Sequence, residues 1–164
     1  MTPRQTIALL KFEDRMQAEQ SAIALRSATG GIIGRLVPIG PWALDDDHLI
    51  ASFTQWRRLF MRFFQSQFKA SQDSMRNYLE TLSTEDEAEL DNSFRGVSGG
   101  EPKLMQIAEE TLLAWAFGTL GVARITAEVL SFNFMAHDLH RSFGFRLVAS
   151  DPLLKTKQED VVTH

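Results

Sequence analysis

Apolar residues recur along most of this chain at spacings of three and four, the signature of helices that bury one face. Leu104, Ile107, Ala108, Leu112, Trp115 and Ala116 form the clearest stripe, with Glu109 and Glu110 largely off it. Gly118 and Gly121 mark the end of that helix. A second helical stretch over 49–68 is crowded with aromatic rings (Phe53, Trp56, Phe60, Phe63, Phe64 and Phe68), and Arg57, Arg58 and Arg62 are interleaved. A third helix over 71–82 has Ser71 or Asp73 as its cap and Met75, Tyr78, Leu79 and Leu82 as its face. Residues 3–28 read as an N-terminal helix with an incomplete stripe of Ile7, Leu10, Met16, Ala22, Ile23 and Leu25, ended by Gly30 and Gly31. A last short helix over 133–141 is ended by Gly144.

Between these helices lie three strand-like runs. Residues 34–39 read as a first strand, followed by Pro41 and the acids Asp45, Asp46 and Asp47. Consecutive acids at a helix start face different ways and complement the helix dipole, so this run reads as a capped helix start and not as a metal site. Residues 90–94 fit a strand end. Residues 125–130 alternate poorly but are apolar and β-branched enough for a buried parallel strand. The run at 90–94 feeds Arg95, Gly96, Val97, Ser98, Gly99 and Gly100, and the strongest helix follows after Pro102. A strand, a glycine turn and a helix start form a place to hold phosphates, because free N–H groups and the helix dipole both point at the anion.

Composition narrows the class without naming a function. At 164 residues the chain is long enough for one domain with a real core. A net charge of −4 gives no general attraction to nucleic acid or to an anionic membrane. The absence of cysteine excludes disulfides, thiolate metal sites and a cysteine nucleophile, and it suits a reducing cytosol. No run of apolar residues is long enough to span a membrane. Lys11, Glu13, Asp14 and Arg15 interrupt any signal-peptide core, so a cytoplasmic protein is expected. His137 and His140 share a helix face, but no third ligand is evident and no metal is expected.

From Glu89 onward the chain resembles the GNAT superfamily of coenzyme A-dependent N-acetyltransferases. The loop from Arg95 to Gly100 before a helix is similar to the family's phosphate loop, although Ser98 stands where the family prefers glycine. Asn133, Ala136 and His140, followed by Phe143, Gly144 and Phe145, resemble the family's closing motif. Leu90, Asp91 and Asn92 together with Trp56 and Arg57 resemble a bacterial branch associated with amino-sugar or surface-polysaccharide substrates.

The resemblance implies an α+β fold, a GNAT-like mixed central sheet flanked by helices, with an extra N-terminal helix. It divides the chain into a helical extension (1–33), an acyltransferase-like domain (34–150) and a polar tail (151–164). It implies acetyl-coenzyme A as the acyl donor, held by Phe94, Arg95, Gly96, Ser98, Gly99, Gly100 and Asn133. Glu89 or Asp91 would relay the amine proton, and only one of these neighbours can face the cleft. His140 falls where the family places a tyrosine acting as general acid. Trp56 and Arg57 would face a small amine acceptor, such as an amino sugar.

The chain departs from the family between Leu82 and Glu89. Two or three strands belong there, and about six residues are too few for even one ordinary hairpin. Two readings therefore stand. The chain is an N-acetyltransferase, or it is a non-catalytic or partner-completed GNAT-like binding subunit. A homodimer or a partner chain would complete the sheet in the second case.

Overall fold

The computed structural model describes residues 2–65, 67–84 and 99–152. These form a mixed α and β structure, with six α-helices and one two-stranded antiparallel sheet among the described residues. The expected helix over 3–28 is instead two short helices and a strand. Helix α1 (Pro3–Ala8) is opened by a capping box: the Gln5 N–H donates to Thr2 Oγ1 at 3.3 Å, and the Thr2 N–H donates to Gln5 Oε1 at 2.8 Å. Helix α2 (Arg15–Gln20) is capped separately by Asp14, which accepts from the Gln17 N–H at 3.1 Å. Two caps on one apparent stripe mean two helices.

Ile23 to Leu25 leave the helical period and join a hairpin. Strand β1 (Ile23–Arg26) pairs with β2 (Ile32–Leu36), with Ile23 opposite Leu36 and Leu25 opposite Gly34. A bulge lies at Leu25 and Arg26. Gly30 turns the chain at φ 85°, so the glycine pair expected to stop a helix closes a hairpin instead. The strand expected over 34–39 lies at Ile32–Leu36, and residue 33 is inside it. Pro38 has no N–H for a ladder, which limits the strand on that side.

Gly40 lets the chain approach its own N-terminal segment. A Cβ there would stand 2.7 Å from the Phe12 carbonyl oxygen and 2.8 Å from its nitrogen. The Trp42 N–H donates to that same carbonyl at 3.3 Å. A 3₁₀ turn (Pro41–Asp45) then buries Trp42 and Ala43 against Ala18, with Phe12, Val37 and Leu49 packed around them. Asp46 caps α3 (Asp47–Phe60) by accepting from the Leu49 N–H at 2.9 Å, so the acid run starts a helix as its pattern indicates.

Helix α3 packs on α4 (Gln72–Thr84). The helix expected over 49–68 stops at Phe60, a 3₁₀ turn (Met61–Phe63) follows, and Ile50 is fully buried. Helix α5 (Leu104–Trp115) lies on the hairpin, runs into a π-helical turn (Ala116–Leu120) and stops at Gly121, φ 72°. Helix α6 is Phe134–Ser142.

The sheet differs from the expectation of a mixed central one. Among the described residues it has two antiparallel strands, and 125–130, expected as a buried parallel strand, pairs with neither. The expected strand over 90–94 lies outside the described residues, as do most of the short link before Glu89 and residues 153–164 of the expected polar tail. No helix among the described residues is long and apolar enough to cross a membrane.

Candidate functional site

The α5–α6 contact brings together the chemistry that the described residues offer. Helix α6 begins where Asn133 Oδ1 accepts from the Ala136 N–H at 3.4 Å. It ends in a Schellman motif: the Gly144 N–H donates to Arg141 O at 3.0 Å, and the Phe145 N–H reaches back to His140 O at 3.1 Å. Gly144 holds φ 84°, which turns Phe145 back toward the helix. Its ring lies 5.1 Å from the His140 ring. The Phe-Gly-Phe close is thus a helix stop that covers His140.

His140 is itself a buried group. Its Nδ1 lies 2.6 Å from Oε1 of Glu109 on α5, with His140 9% and Glu109 4% exposed. With Glu109 as a carboxylate, which can only accept, the Nδ1–H of His140 is the donor of this bond. Glu109 Oε2 is buried without a hydrogen-bond partner among the described residues.

The sequence reading placed Glu109 off the helical stripe, and this is corrected. Glu109, Leu113, Ala116 and Leu120 are the buried positions of α5 and its π turn, at spacings of four, three and four. The helix has one buried face and one half-buried face. Leu112 and Trp115, from the other stripe, line an apolar groove with Leu10, Ile23, Leu36 and Val37. A carboxyl inside an apolar period is the signal that could have found Glu109.

The glycines ahead of α5 take left-handed conformations, Gly99 at φ 91° and Gly100 at φ 70°. Both are exposed. Lys103 occupies the N-cap position without a side-chain cap, and its N–H donates to Glu101 Oε1 at 3.3 Å. An anion bound there would displace the Glu101 carboxylate. Asn133 lines an open cleft of about 370 Å³ with Arg62, Phe63, Phe132, Phe134 and Met135. Arg62 lies 4.6 Å over the Phe63 ring and gives this cleft a cation.

Trp56 and Arg57, expected at an acceptor cleft, part company. Trp56 is half-buried, edge-on to Phe53 at 5.5 Å and 73°. Arg57 is 3% exposed, so no acceptor in solvent reaches it. Its guanidinium lies over Phe64 at 3.7 Å, Phe68 at 4.8 Å and Tyr78 at 5.3 Å, holding α3 to α4 through ring faces. His137 Nε2 is 3.2 Å from Leu130 O, and no metal-holding group of side chains occurs among the described residues. Glu89, Asp91, Phe94, Arg95, Gly96 and Ser98 lie outside the described residues. Comparison with known protein families, curated proteins and solved structures returns no match for this chain.

Proposed function

We propose that this chain binds acetyl-coenzyme A and transfers its acetyl group to a primary amine of a small acceptor, such as an amino sugar, as a GNAT-like N-acetyltransferase. The observation that carries the reading is the sequence of parts around α5 and α6. Two left-handed glycines precede a helix whose N-cap residue, Lys103, supplies no cap of its own, and the helix that follows starts on Asn133 and buries His140 at its end. Backbone N–H groups at such a helix start attract a phosphate, by about 0.3–1 kcal/mol for the dipole alone. Arg62 lines the same cleft as Asn133 and gives it a cation.

Acetyl transfer needs a base for the amine, a donor for the carbonyl oxygen as it gains charge, and a proton for the departing thiolate. Glu89 or Asp91 is proposed as the base, and the backbone N–H of Phe94 or Arg95 as the oxyanion donor. His140, oriented by Glu109, is proposed as the acid that protonates the thiolate.

A second reading is favoured by a separate observation. Phe134, Met135, Leu147 and Val148 are 71–91% exposed, and the described sheet has two strands. A chain of this kind suits a GNAT-like subunit completed by a partner.

Isothermal titration of the full chain with acetyl-coenzyme A tests the proposal. Saturable one-site binding is expected, weakened at least tenfold by Gly99→Val with Gly100→Val. No binding by the folded protein would overturn the cofactor reading. Equal binding by the variant would overturn the assignment of the loop.

A further inference from the structure

Residues 124–129 carry the exposure pattern of a strand. Ile125, Ala127 and Val129 are half-buried, while Arg124, Thr126 and Glu128 are exposed. Period two is the side-chain period of a strand, and Ile, Thr and Val are the residues that favour one. The run nevertheless belongs to neither strand of the described sheet, and its backbone has no ladder partner among the described residues. Backbone N–H and C=O groups in such a run form an open edge that another strand can join.

The charges choose the occupant. In an antiparallel pair of two copies centred on Thr126, Thr126 faces Thr126, and Arg124 faces Glu128 on both sides of the axis. Ile125 faces Ala127 on the half-buried side. No other antiparallel register sets Arg124 opposite Glu128: centring on Ala127 puts Arg124 against Leu130, and centring on Ile125 puts it against Thr126. Opposite charges and paired threonines directly across strands are both favourable, and the pairing is self-complementary as a two-fold axis requires. Phe132, Phe134 and Met135, which are 50–85% exposed, follow immediately and add apolar area beyond each end of the ladder.

We infer that 124–129 is an interface strand that pairs antiparallel with the same strand of a second copy, centred on Thr126. This pairing is independent of acetyl transfer and does not require the cofactor.

The chain has no cysteine, so a single Thr126→Cys substitution reports the register directly. Under mild oxidation the Thr126→Cys protein should convert to a disulfide-linked dimer. Arg124→Cys and Glu128→Cys should not, because each of those faces the other position across the axis. Light scattering across a dilution series supplies the second readout. The wild-type chain should dimerise, Arg124→Glu should weaken association at least tenfold, and Arg124→Glu with Glu128→Arg should restore it. A monomeric wild type, equal cross-linking at all three positions, or failure of the double variant to recover would each overturn the inference.

Discussion

The α3–α4 region and the α5–α6 region each bury an ionisable side chain, and they accommodate it differently. Arg57 sits among the faces of Phe64, Phe68 and Tyr78, where the ring quadrupoles meet its charge and the side chain serves as packing. Glu109 meets one partner, His140, and leaves its second oxygen unsatisfied among the described residues. The first arrangement packs the guanidinium against ring faces, in a core with Ile50, Phe64 and Met75. The second is half-satisfied and lies in the part of the chain where Phe117, Phe132, Phe134, Met135, Leu147 and Val148 are exposed. Burial alone therefore does not mark function. The two regions differ in what meets the buried charge: ring faces in one, a second titratable side chain in the other.

The comparison breaks most sharply at His140. His140→Ala leaves Glu109 buried with neither oxygen paired, and a loss of about 3 kcal/mol is expected in urea unfolding. Replacing Glu109 by Leu in the same chain should recover more than half of that loss, because the orphaned carboxyl goes with it. A loss below about 1 kcal/mol for His140→Ala would show that the pair is not sealed.

Gly40→Ala should cost about 2 kcal/mol, read as a lower urea midpoint at unchanged slope, because its Cβ meets the Phe12 backbone and not a side-chain end. Arg57→Lys keeps the charge but loses the planar group over Phe64, and about 1.5 kcal/mol in thermal unfolding is expected. Acetyl-coenzyme A binding should be unchanged in that variant, since the side chain is interior. Asn133→Ala removes the cap of α6 for about 1 kcal/mol. It should also weaken acetyl-coenzyme A binding, and a stability loss with unchanged affinity would separate the cap from the site.

Much of the helical content was legible, because Asp46 before α3, the Leu104–Trp115 stripe and Gly144 after α6 are local signals with local causes. The hairpin at Ile23–Leu36 was not, since Ile23 and Leu25 fit a helical spacing as well as a strand, and only the cap at Asp14 and the pairing across Gly30 decide between them. Residues 125–130 read as a buried strand because β-branched residues suggest one. Pairing is a non-local property, and the described residues supply no partner. In the candidate site, Gly144 as a helix stop could be read from the sequence pattern, whereas His140 enters through the family resemblance. Glu109 is marked only by its place in the apolar period of Leu113 and Ala116, and the interior place of Arg57 depends on which helix packs against which.

The most direct test of the proposed site is hydrogen–deuterium exchange of the full chain with and without acetyl-coenzyme A. Added protection is expected at the start of α5, after Gly99 and Gly100, and across the first turn of α6 at Asn133, with the α3–α4 region unchanged. Protection confined to α3 and α4, or none at saturating acetyl-coenzyme A, would contradict the account.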